Sequence, residues 1–171
     1  MNWILLILTL PTENATARMR AWRTLKNSGA AVLRDGVYLM PEEGSGKALL
    51  SDIAEDIEKN GGTTYLLSTH ADREAFAGMF DRSTEFAELA DAISKSRAGL
   101  TDDTAADTLK QSRKLRRSFE QLCAIDFFSG EAQRQTSSAL LDLESAAIRT
   151  LSPDEPHAML GDTAMPVSYT H

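Results

Sequence analysis

The side chains best placed to do chemistry here are cations in two acid-free stretches, and the chemistry they suit is holding anions. Between Asn14 and Arg34 the chain carries Arg18, Arg20, Arg23, Lys26 and Arg34 with no Asp or Glu among them. The second stretch, TLKQSRKLRRS from Thr108 to Ser118, also holds five basic residues and no acid. Within it Lys110, Arg113, Lys114 and Arg117 recur at i, i+3, i+4 and i+7, one face of a helix. Guanidinium forks match the oxygens of a phosphate, and ammonium groups neutralise it as point charges. Like charges at helical spacing repel by a few tenths of a kcal/mol per pair, so an incoming anion relieves them. The plainer alternatives are a solvated face for the first stretch and, for the second, pairing with acids of neighbouring helices such as Glu85, Glu88 and Asp91.

The remaining candidates are weaker. Gly44-Ser45-Gly46-Lys47 looks like a phosphate loop, but the pattern needs glycine where Pro41 stands and a hydroxyl where Ala48 stands. His70 with Asp72 hints at general-base chemistry, yet no motif supplies a nucleophile. Cys123 reads as a small buried hydrophobe, and Asp126 has no carboxylate partner at catalytic spacing. His70, His157 and His171 with one cysteine give no metal-ligand spacing. No catalytic residue, metal site or cofactor is therefore expected.

These cations sit in a chain of 171 residues whose net charge is −7. That sign disfavours indiscriminate nucleic-acid binding but leaves room for a local patch, above all one doubled in a dimer. A hydrophobic fraction of 42% is enough for a packed core. A single cysteine forbids an internal disulfide and points to a reducing cytoplasm. The apolar opening, Trp3 to Leu10, falls short of the about 20 residues a membrane-spanning helix needs and lacks the marks of a secretory leader.

Trp3 to Leu10 reads as a central strand, since both its faces are apolar. Asn14 caps a helix with Ala15, Met19, Trp22 and Leu25 as its inward stripe and Arg20, Arg23 and Asn27 outward. Ser28-Gly29 ends it. Two strands, 30–33 and 37–40, follow around Asp35-Gly36, a hairpin signal. A second helix spans 47–59, with Leu49, Leu50, Ile53 and Ile57 inward, and a fourth strand spans 63–69. Strand, helix, strand, strand, helix, strand is the ferredoxin-like βαββαβ order. That arrangement leaves one sheet face open, and either a partner subunit or the following chain must cover it.

Beyond it the pattern is helical. Short helices are expected at 72–80 and 83–97. A longer one runs from Thr101 to about Phe127, with Leu109, Leu115, Phe119 and Leu122 inward. The last spans 131–151, with Leu140, Leu143 and Ala147 inward, and forms an antiparallel hairpin with the one before it. The expected organisation is a ferredoxin-like domain over 1–70, a helical segment over 71–151 and a disordered tail over 152–171, an α+β chain.

Residues 3–41, WILLILTLPTENATARMRAWRTLKNSGAAVLRDGVYLMP, closely resemble the N-terminal region of ChrB-type chromate-resistance proteins. Met79-Phe80-Asp81-Arg82-Ser83, Ala124-Ile125-Asp126-Phe127-Phe128 with Gly130-Glu131-Ala132, and Leu151-Ser152-Pro153 with Glu155-Pro156-His157 agree with it. More distantly, the first seventy residues are similar to the ferredoxin-like domain of the phenylacetate-type repressor PaaX, a domain shared with small CRISPR-adaptation nucleases. Those nucleases place a metal-binding acid at the end of the first strand, where Thr9, Leu10, Pro11 and Thr12 stand here, so nuclease activity is not carried over. The resemblance implies a regulator of a chromate-efflux operon, whose N-terminal half binds DNA and whose C-terminal half responds to chromate. That second half is not within these residues, and AMLGDTAMPVSYTH after His157 matches nothing in the pattern.

The expected function is thus binding: a cytoplasmic transcriptional regulator, or its DNA-binding part, acting as a homodimer on the double-stranded operator of a chromate-resistance operon. The nine cations, Arg18, Arg20, Arg23, Lys26, Arg34, Lys110, Arg113, Lys114 and Arg117, would contact phosphates. The rival is an interaction module that binds a separate sensor domain, or an oxyanion such as chromate, without a membrane role.

Overall fold

In a computed structural model the described residues are 1–153, so the tail expected from 152 falls almost wholly outside them. The chain divides into two compact units. One comprises residues 1–81 together with 125–128; the other comprises 82–124 and the chain from 129.

The first unit runs β1 (Asn2–Thr9), α1 (Ala15–Asn27), β2 (Ala31–Arg34), β3 (Val37–Pro41), α2 (Gly46–Lys59), β4 (Thr63–His70), α3 (Arg73–Phe76) and a 3₁₀ turn, Ala77–Phe80. The strands pair antiparallel in the order β2-β3-β1-β4, the ferredoxin-like arrangement. Local chemistry sets the boundaries. The Asn14 side chain accepts a hydrogen bond from the Ala17 amide at 3.4 Å, and its own amide donates to the Asn60 carbonyl at 3.0 Å. One residue therefore starts α1 and ties it to the end of α2. Both helices close with a left-handed glycine, Gly29 at φ 80° and Gly61 at φ 87°. The next amides, Ala30 and Gly62, reach back to the carbonyls of Leu25 and Ile57, satisfying groups the helices leave unpaired.

The inner face of α1 differs from the expected one. Ala17, Ala21 and Leu25 are buried, whereas Met19 and Trp22 are exposed. Ala17, Ala21 and Leu25 join the core cluster that also holds Ile4, Leu6 and the inner face of α2. Leu50, Ile53, Ala54 and Ile57 of α2 complete the helix side of the core against Ile4, Leu6, Tyr38 and Met40.

The opposite sheet face is covered around Trp3 by the chain that follows, while Tyr65 and Leu67 on the β4 side of that face stay exposed. Trp3, fully buried, meets Phe76 edge-on with ring centroids 5.2 Å apart and stacks with Phe80 at 5.8 Å. Phe128 lies 5.9 Å from Trp3, and Phe127 lies 5.6 Å from Phe80. Residues 71–81 and 125–128 thus pack within the ferredoxin-like unit, where the expected boundary at 70 would have assigned them to the helical segment.

The second unit is a three-helix bundle: α4 (Ser83–Ala98), α5 (Ala105–Ala124) and α6 (Glu131–Leu151). Its core joins Phe86 and Ile93 of α4, Leu115 and Phe119 of α5, and Leu140 and Leu143 of α6, so α4 is a full member beside the expected hairpin. Helix α5 ends at Ala124, not near Phe127, because Phe127 and Phe128 are used on the sheet.

Phe80 is fully buried against the rings of Trp3, Phe127 and Phe128, while Met79 beside it is exposed. Phe80→Ala is expected to lower stability by about 3–5 kcal/mol and Met79→Ala by under about 0.5 kcal/mol. Equal urea midpoints for the two variants would refute the aromatic cover.

Candidate nucleic-acid interface

The five expected phosphate contacts of the first stretch, four on α1 and Arg34 at the end of β2, fall into distinct environments. Arg20 forms a bidentate ion pair with Asp56 of α2, Nε to Oδ2 at 3.0 Å and Nη2 to Oδ1 at 3.2 Å. Its charge is already answered within the fold. Arg18 donates from Nη2 to the Leu10 carbonyl at 2.9 Å, bracing the turn between β1 and α1 while keeping its charge. Arg23, Lys26 and Arg34 are exposed and form no ion pair among the described residues. The Lys26 ammonium sits 5.0 Å from the centre of the Trp22 ring, a cation–π contact one helical turn long.

The stripe on α5 is cleaner. The inward positions are Thr108, Ser112, Leu115 and Phe119, and this phase turns Lys110, Arg113, Lys114 and Arg117 outward. The neighbouring acids do not answer them. Glu85 pairs with Arg82 at 3.2 Å and Asp91 with Lys95 at 2.8 Å. The α5 cation that is neutralised is Arg116, whose guanidinium grips Glu144 of α6 through two bonds, one at 3.2 Å from Nε. That hydrogen bonding holds its pKa above the ordinary arginine value. Arg116 stands off the i, i+3, i+4, i+7 set that the other four cations form.

Of the nine cations singled out from the sequence, eight have no carboxylate partner among the described residues; Arg20 is the exception. Of the expected inward stripe only Leu25 is buried: Ala15 is exposed, and Met19 and Trp22 stand in the open beside Arg23 and Lys26. The signal was available in Ala17, Ala21 and Leu25, an i, i+4, i+8 stripe of smaller residues.

Other polar sites have narrower possibilities. Nδ1 of His70 lies 3.0 Å from Oδ1 of Asn2, a strand-to-strand contact with no nucleophile in it. A groove of about 490 Å³ in the helical unit is lined by Arg97, Asp102, Arg149 and Thr150 among others, with Arg97 held by Asp142 at 3.2 Å. Among the described residues no group of three or more His, Cys, Asp and Glu is placed to hold a metal ion, and no helix is long and apolar enough to cross a membrane.

The two kinds of α5 cation should separate in stability measurements. Glu144→Ala strands the partly buried Arg116 guanidinium and is expected to cost about 1–3 kcal/mol. Lys114→Ala on the exposed stripe is expected to stay within about 0.5 kcal/mol. Thermal melts followed by circular dichroism decide it, and no loss in Glu144→Ala would mean that the pair is not formed.

Comparison with known proteins agrees with the residue patterns. A family profile described as "Protein ChrB, N-terminal" matches residues 18–149. A curated relative, Protein ChrB of Cupriavidus metallidurans, is 38% identical over 164 residues, covering 94% of this chain and 51% of its own length. The chain thus spans about half the length of that relative. Among solved structures, an uncharacterized Mycobacterium tuberculosis protein, Rv0674, superposes with a TM-score of 0.51 at 16% identity, covering 87% of this chain and 61% of its own; that likeness concerns the fold alone. With its profile match reaching from α1 into α6 and its close relative along nearly the whole chain, this protein belongs to the ChrB family, in the family's N-terminal region.

Proposed function

We propose that this chain is the DNA-binding part of a cytoplasmic transcriptional regulator in chromate resistance, the setting its family resemblance implies, and that it binds rather than catalyses. The observation that carries the reading is electrostatic. In a chain of net charge −7, eight selected cations on or beside two acid-free helical stripes have no carboxylate partner among the described residues. Phosphate contacts of this kind position a protein on a duplex and dominate its affinity.

A homodimer belongs to the same proposal, because it would double each stripe. Strand β4, Thr63–His70, lies at the sheet edge and contains no Lys, Arg, Asp or Glu. Edges are usually guarded by such charges. Tyr65 and Leu67 stand exposed on it, and a twofold axis would pair this edge with its own copy. Light scattering should then show a dimer that Leu67→Lys converts to monomer; a wild-type monomer at high micromolar concentration would remove this part.

The main test is an electrophoretic shift on the DNA upstream of its own operon. Arg113→Glu/Arg117→Glu is expected to weaken the complex roughly tenfold or more, as phosphate neutralisation becomes repulsion. Arg20→Ala, whose charge Asp56 already answers, should change it less than about threefold. Equal binding by wild type and the double reversal would rule out the α5 stripe as the contact surface.

A further inference from the structure

Helix α1 presents something phosphates do not need. Met19 is 48% and Trp22 44% exposed, on the face that carries Arg23 and Lys26. An indole in water forfeits the free energy its burial would return, so its place in the open calls for a partner. The packing of α1 does not require it, because Ala17, Ala21 and Leu25 already form the buried face. Asp56, the carboxylate that α1 does meet, is engaged by Arg20. What remains is an apolar pair flanked by cations, with Lys26 held against the Trp22 ring at 5.0 Å.

We propose that Met19 and Trp22 are the apolar contact this helix makes with the bases of duplex DNA, while Arg23 and Lys26 hold the flanking phosphates. The proposal rests on the DNA-binding reading above and extends it from backbone to bases. Phosphate contacts carry no sequence information; apolar side chains that reach thymine methyl groups or wedge into a base step do. An indole adds a flat surface that a base can stack against. A basic helix with exposed tryptophan also suits an anionic membrane surface, but such a helix must sink a whole apolar face into the lipid. Here that face is Ala17, Ala21 and Leu25, and it is committed to the core.

The protein offers its own probe, since its two tryptophans are Trp3, fully buried, and Trp22. Titrating the upstream duplex into wild type should quench the emission, whereas Trp22→Phe, reporting from Trp3, should respond little. In parallel, anisotropy of labelled duplex should show Trp22→Ala binding about tenfold more weakly with its salt dependence kept. Arg23→Glu should instead flatten that dependence. Circular dichroism checks that both exposed-site variants stay folded. If Trp22→Ala binds within twofold of wild type and no quenching occurs while Arg23→Glu still weakens the complex, the base contact is refuted and the DNA-binding reading survives. If wild type binds no duplex, or is quenched only by phosphatidylglycerol vesicles, both fall.

Discussion

The structure depends on β1 being buried on both faces. Ile4 and Leu6 point to one side and Trp3 to the other, and all three are essentially inaccessible to water. One side is satisfied by α1 and α2, which the ferredoxin-like connections deliver automatically. The other side has no such provision, so the chain must return twice: with Phe76 and Phe80 directly after β4, and with Phe127 and Phe128 after α5. Arg73 rests 4.9 Å from the Phe128 ring, adding a cation to the aromatic cover. The demand for a dry Trp3 explains why residues from the far end of α5 belong to the first unit.

Against that frame of buried apolar contacts, charge is sorted by role. Cations that face an element of the fold are matched: Arg20 by Asp56, Arg116 by Glu144 and Arg97 by Asp142. Those that face water on α1 and α5 are left unmatched, although the chain has 25 acids against 18 Lys and Arg. A solvated surface with no further task would be expected to intersperse the signs. The segregation is what favours an anionic partner over mere solubility.

Features set by neighbours in sequence were legible beforehand. Asn14 as a cap, Gly29 as a stop, Asp35-Gly36 as a hairpin turn and the apolar run of β1 all act within a few residues. Features set by distant partners were not. Arg20 and Asp56 are 36 residues apart, and nothing in either stretch announces the other. Phe127 and Phe128 continue the helical pattern of α5 in sequence, yet Trp3 claims them. The phase of α1 is not legible from hydrophobicity alone, because Met19 and Trp22 outweigh Ala17 and Ala21 in it, yet the core takes the smaller pair with Leu25. That mismatch concealed the most distinctive part of the candidate interface.

The central claim is that unmatched cations on α1 and α5 receive phosphate. Its most direct test is the salt dependence of wild-type binding to the upstream duplex between about 50 and 200 mM salt. The account predicts a log–log slope of about −3 to −6 per protomer, the release of several counterions by the unmatched side chains. A slope shallower than about −1, or no measurable binding at the lower salt, would contradict it.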